Sequence, residues 1–118
     1  MNNDKQRFVI RASASRLDKG LLAVPQRFKG WFPAERGQIQ IVFDDEEAAK
    51  TLTFHPYDAT TKEIRIFGLR NWYSKREVRQ GELISITLED REQRLYRIAL
   101  ERYVRERQEG VARQRLQD

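Results

Sequence analysis

Apolar and polar residues alternate along most of this chain, and the alternation predicts strands. Phe8-Val9-Ile10 opens one, and Leu21-Leu22-Ala23-Val24 forms an apolar run that stops at Pro25. Ile39, Ile41 and Phe43 share a face, with Gln38, Gln40 and Val42 opposite, the period-two pattern of a half-buried strand. Asp44-Asp45-Glu46-Glu47 reads as a turn too acidic to be core. Leu52 and Phe54 then point inward on the returning strand of a hairpin, with Thr51, Thr53 and His55 outward. Ile64 and Ile66 repeat the pattern and leave Arg65 and Phe67 opposite. Ile84, Ile86 and Leu88 follow, and after the polar turn Glu89-Asp90-Arg91-Glu92 come Tyr96, Ile98 and Leu100. Strands at this spacing with short polar turns indicate an antiparallel barrel or sandwich.

Two short helices punctuate the strands. Pro25 suits a first helical position, and Phe28, Trp31 and Phe32 form one apolar face before Pro33 ends the segment. After Gly68, the stretch Leu69 to Glu77 places Leu69, Trp72 and Tyr73 at i, i+3 and i+4. Each helix is too short to stand alone, so each is expected to plug a barrel end with its aromatics, both tryptophans included. The stretch from Glu101 to Asp118 is charged, carries Gly110 and has sparse apolar residues. It reads as a frayed helix or the start of a linker, giving one domain over 1–104 and a tail over 105–118.

Composition narrows the class. At 118 residues the chain suits one domain that buries roughly 65% of its unfolded surface. The absence of cysteine excludes disulfides, thiolate metal sites and cysteine nucleophiles. No apolar run approaches the ~18 residues of a membrane span, and the N-terminus is unlike a signal peptide, so a cytoplasmic protein with no membrane partner is expected. The net charge of +5 is unevenly spread. Residues 1–36 hold eight Lys/Arg against three acids, and 62–81 hold six against two. Between them, 37–61 hold one lysine against five acids, and the last 37 residues balance. Two basic blocks brought onto one face would attract polyanions and make binding salt-dependent.

The first basic block contains the stretch Arg11-Ala12-Ser13-Ala14-Ser15-Arg16-Leu17-Asp18-Lys19-Gly20. A segment that merely turns the chain needs Gly, Asn or Asp and few cations. This one carries the donors that contact phosphates and base edges, so it is a candidate nucleic-acid-gripping arm.

The order of elements, with three local motifs, resembles the B3-type DNA-binding pseudobarrel. That family occurs in plant transcription factors and in the recognition (effector) domains of bacterial type II restriction endonucleases. Leu22-Ala23-Val24-Pro25-Gln26 with Phe28 and Phe32 matches the family's lead into its first helix. Asn71-Trp72 matches its second helix, and Val78-Arg79-Gln80-Gly81-Glu82 with Leu83 to Leu88 matches the approach to its closing hairpin. Glu82 departs from the usual Asp, and the loop at 55–62 is short. The compact length resembles the restriction-enzyme branch. With Met1 as a natural start and a linker-like tail, it suggests a recognition domain detached from a downstream, fused or associated nuclease.

The resemblance implies a mainly β, seven-stranded open barrel with two short helices, binding duplex DNA as a monomer and without a cofactor. It implies two arms that straddle the major groove, about 12 Å wide in B-DNA. The first, Arg11 to Gly20, supplies Arg11, Ser13, Ser15, Arg16 and Asp18. The second, His55 to Lys62, supplies His55, Tyr57, Asp58, Thr60 and Thr61 and runs into Arg65; Asn71 joins them from the second helix. Arginine can pair with guanine, a carboxylate can accept from cytosine, and hydroxyls can serve either. Asp18 and Asp58 are each a cytosine acceptor, a clamp on Arg16 or Lys62, or an ordinary turn former. Lys19, Lys62 and Lys29 suit phosphates. Arg65, beside His55, is either on the concave floor or a plain surface cation.

Catalysis is not expected in this chain. His55 is the sole histidine, so no second His or Cys can complete a metal site or an acid–base pair. Asp44 to Glu47 with Lys50 offers clustered acids near a lysine but reads as a solvated hairpin tip. The alternatives are a transcription-factor-like B3 domain, or a basic barrel binding RNA or single strands, which would stack bases on exposed aromatics. Tyr57, Phe67 and Tyr103 are the candidates for that role.

Overall fold

The computed structural model describes residues 6–102. The expected tail over 105–118 and Tyr103 lie outside the described residues. In chain order the elements are β1 (Arg7–Arg11), α1 (Ala14–Lys19), β2 (Leu21–Pro25), a 3-10 helix (Gln26–Trp31), β3 (Gly37–Phe43) and β4 (Lys50–His55). β5 (Glu63–Phe67), α2 (Arg70–Lys75), β6 (Leu83–Asp90) and β7 (Leu95–Leu100) follow. The seven strands form one sheet in the order β1-β6-β7-β3-β4-β5-β2, curled into a nearly closed barrel. All neighbours are antiparallel except β3 and β7. The expected seven-stranded open barrel is therefore present.

Each predicted alternation fills the barrel. Ile39, Ile41, Phe43, Phe54, Ile64, Ile66, Ile84, Ile86, Ile98 and Leu100 are all essentially inaccessible to solvent. Each such aliphatic side chain contributes about 1.5–3 kcal/mol of burial free energy. The aromatics of the helical segments pack onto this core, as expected. Phe28 stacks on Phe8 at 3.8 Å with Trp31 edge-on, Phe32 lies between Phe54 and Tyr96, and Trp72 stacks on Phe43 at 4.9 Å. The two buried tyrosines direct their hydroxyls to backbone carbonyls, Tyr73 to Leu21 at 2.9 Å and Tyr96 to Trp31 at 2.6 Å. Burial pushes the Tyr96 phenol up to about 12 and the Tyr73 phenol higher still.

Three expectations are corrected. Before β6 there are three short helical segments rather than two, because Ala14–Lys19 inside the first basic stretch is an α-helix. It carries no side-chain cap and buries no residue completely, so neither capping chemistry nor an apolar stripe announces it. The segment after Pro25 is a 3-10 helix, with Pro25 still in the strand conformation. The acidic turn is not all solvated. Asp44 has a side chain only 4% exposed, and it accepts the Leu100 N–H at 3.0 Å and Arg76 Nη2 at 3.4 Å.

Asp45 beside it pairs with Lys75 at 2.7 Å. Burial alone would raise the Asp45 carboxyl, but Lys75 and Arg76 outweigh it and hold the group below its ordinary range. Among the described residues, no helix is long and apolar enough to cross a membrane.

Candidate nucleic-acid interface

The sheet order decides where the two arms lie. β1 and β2 are its edges, and the chain between them, arm one, crosses the gap the barrel leaves open. β2 pairs with β5, and β5 with β4, so the loop from β4 to β5, arm two, rises beside the strand that follows arm one. The register sets Ala23, Arg65 and His55 in one row across the three strands. Directly opposed residues share a face, and the adjacent row of Leu22, Ile66 and Phe54 is buried. Arg65 and His55 therefore face outward. The His55 ring meets Phe67 edge-on at 4.7 Å.

Glu63, the first residue of β5, joins the arms. Arg16 Nη2 from α1 donates to both of its oxygens, at 2.9 and 2.8 Å, and Arg65 Nε donates to Oε1 at 2.7 Å. Burial would raise the Glu63 carboxyl, but the two guanidinium groups reverse the effect and hold it below 4.5. The clamp weighed for Asp18 or Asp58 is thus supplied by Glu63. It was legible in part: Glu63 lies two residues before Arg65 on the same strand, and alternation puts both on one face. The Arg16 contact, 47 positions away, has no local signal.

Arm one is rigidly seated. At its start, Ala12 exchanges backbone hydrogen bonds with Glu82 and Gly81 at 2.8 and 2.7 Å, and Arg11 Nη1 donates to the Gly81 carbonyl. At its end, Gly20 adopts φ +69°, a left-handed conformation suited to glycine, and its carbonyl accepts the Leu69 N–H. Arg70 Nη2 donates to the Asp18 carbonyl. The Asp18 side chain and Lys19 stand exposed. Ser15 Oγ accepts from Arg16 Nη1 at 3.2 Å, and Ser13 precedes α1 without a side-chain cap bond. Arg11, Ser13, Ser15 and Arg16 line one cleft of about 360 Å³, with Ala23 on its wall.

Arm two is ordered by its own hydrogen bonds. Asp58 Oδ1 accepts the Thr60 and Thr61 N–H groups at 2.6 and 3.0 Å, and the Asp58 carbonyl accepts the Lys62 N–H. Of the roles weighed for Asp58, the turn former is the one its contacts describe. Those N–H groups, Thr61 first, lower its carboxyl pKa. Thr61 Oγ1 donates to the Glu63 carbonyl, while Thr60 and Lys62 stand exposed. Tyr57 packs partly against the core rather than standing free. Asn71 is exposed on α2, and no hydrogen bond between described residues ties it to either arm.

The charge blocks fold as two separate sets. Arg16 and Arg65 come together around a single acid, leaving net positive charge between the arms. Lys75 and Arg76, from the second basic block, are drawn instead to Asp45 and Asp44. The acidic hairpin therefore neutralises two cations of the second basic block.

No protein-family model matches the chain, and no curated protein matches it significantly. Solved structures do. The chain is similar to FUS3 in the Arabidopsis FUS3–DNA complex, with a TM-score of 0.63 and 15% identity over 79% of this chain and 93% of that one. It is similar also to the hypothetical Arabidopsis thaliana protein At1g16640.1, with a TM-score of 0.58 and 15% identity over 83% of this chain and 91% of that one. At such identity the likeness concerns the fold, and the fold is a B3-like pseudobarrel.

Proposed function

We propose that this domain binds duplex DNA sequence-specifically, laying both arms along one major groove. The observation that carries the reading is the Arg16–Glu63–Arg65 cluster, which fixes two cationic segments side by side on one sheet face. The major groove offers guanine acceptors that only correctly spaced donors satisfy, and a rigid pair of arms can present such donors. The likeness to a chain solved in complex with DNA supports the same reading. Both solved relatives named above come from a plant, which favours a transcription-factor-like module over the recognition domain of a restriction endonuclease. In this reading the domain performs no catalysis and acts in the cytoplasm as a monomer.

Single-strand binding by stacking has less support. Tyr57 packs partly against the core and Phe67 meets the His55 ring edge-on, so both rings are partly engaged within the fold rather than standing free as a stacking platform. Gel-shift competition among duplex DNA, single-stranded DNA and duplex RNA tests the choice. Duplex DNA is expected to win, with log affinity falling linearly in log salt. Lys19→Ala is expected to weaken all duplexes alike and flatten that slope by about one unit. Equal or tighter binding to RNA or single strands would overturn the proposal.

A further inference from the structure

We infer that Glu63 is the positioning residue of this interface and divides labour between its two arginines: Arg65 reads a guanine, and Arg16 is a latch. The inference rests on the duplex-DNA reading above. A guanidinium reads guanine with two parallel donors, most simply its terminal Nη pair, directed at O6 and N7. The three arginines of the arms and of the strand that follows the second arm differ in how much of that fork remains available. Arg11 commits Nη1 to the Gly81 carbonyl. Arg16 commits both ends, Nη2 to the two oxygens of Glu63 and Nη1 to Ser15. Arg65 is held through Nε alone, so among the described residues its whole Nη pair carries no hydrogen bond.

Support and surroundings favour Arg65 as well. It projects from a strand paired on both sides, opposite Ala23 and His55, rather than from a loop or a short helix. A site on a paired strand is held more precisely than one on a loop. Ala23 offers no bulk beside it. Its Nε bond to a largely buried carboxylate restricts the side-chain rotation that would otherwise cost entropy on binding. Arg16, bonded to the same carboxylate, fixes the distance between α1 and the start of β5. Its removal would loosen the arms without removing a base contact.

The experiment begins by selecting bound sites from a random duplex library with the full chain. Affinity for the preferred duplex, for each single-base-pair change in it, and for an unrelated duplex is then measured for wild type, R65A, R65K, R16A and E63Q. R65A is expected to lose about 5- to 150-fold on the preferred duplex and to stop discriminating at one G·C pair. R65K is expected to lose the same discrimination, because an ammonium has no fork, and it retains the charge should R65A fold poorly. E63Q is expected to blur that same pair while binding the unrelated duplex as well as wild type or better, having lost a negative charge. R16A is expected to weaken all duplexes while keeping the preference. Relaxation by R16A instead of R65A, or unchanged discrimination in E63Q, would overturn the inference while leaving DNA binding intact. A wild-type chain that selects no motif would overturn the DNA reading, and the inference with it.

Discussion

Asp44 and Glu63 each sit at the end of a strand and each accept from arginine, yet the two regions they organise are built differently. Around Asp44 the acids match the cations: the carboxylate takes the Leu100 N–H and Arg76, while Asp45 takes Lys75. The Asp44 side chain is all but sealed, at 4% exposure. Around Glu63 one acid faces two arginines whose side chains remain 31% and 33% exposed. The first arrangement pairs acid with cation and ties β3 to β7 and α2. The second leaves positive charge and an uncommitted guanidinium fork toward solvent. One cluster is suited to holding the barrel together, the other to meeting a polyanion.

That contrast can be broken at three places, in descending order of expected effect. Asp44→Ala removes the carboxylate that accepts both Arg76 and the Leu100 N–H, so it should cost about 3 kcal/mol in urea unfolding. A loss below about 1 kcal/mol would place Asp44 with ordinary surface acids. Gly20→Ala should cost about 1–3 kcal/mol, because the residue sits at φ +69° and its new Cβ would lie 2.8 Å from Arg70 Cβ. That variant should also displace the end of arm one and weaken duplex binding, which separates the arm's seating from its charge.

The third and smallest effect concerns pH. The Glu63 carboxyl has a folded pKa below 4.5, so its contribution to stability is present above 4.5 and disappears as pH falls through the lowered value. The stability difference between wild type and Glu63→Gln should therefore be at most about 1 kcal/mol near neutrality, because both arginines stay about a third exposed to screening water, and vanish in acid. A difference that grows as pH falls would show that the Glu63 pairs do not hold in solution.

The legible parts of the fold were those in which a residue's role follows from its neighbours in sequence. Period-two alternation located β3 to β7, because a sheet face buries every second side chain whatever its partner strand, and short apolar runs marked β1 and β2. The spacing of Leu69, Trp72 and Tyr73 located the second helix for the same local reason. The helix at Ala14–Lys19 escaped because it has under two turns, no capping side chain and no apolar stripe. Asp44 was misjudged because its burial depends on Leu100 and Arg76, 56 and 32 positions away.

In the candidate site, the residue types of both arms were readable, and so was the outward direction of Arg65. Their pairing was not. Local order alone cannot show that Arg16 and Arg65 share Glu63, that Asp58 spends its carboxylate on its own turn, or that Lys75 and Arg76 are taken by the acidic hairpin. Side-chain chemistry and strand periodicity were thus fixed by the amino-acid order. Which charges neutralise one another, and which stay available to a ligand, was decided by strand pairing, because ion pairs form through space and sheet order sets which distant residues become neighbours.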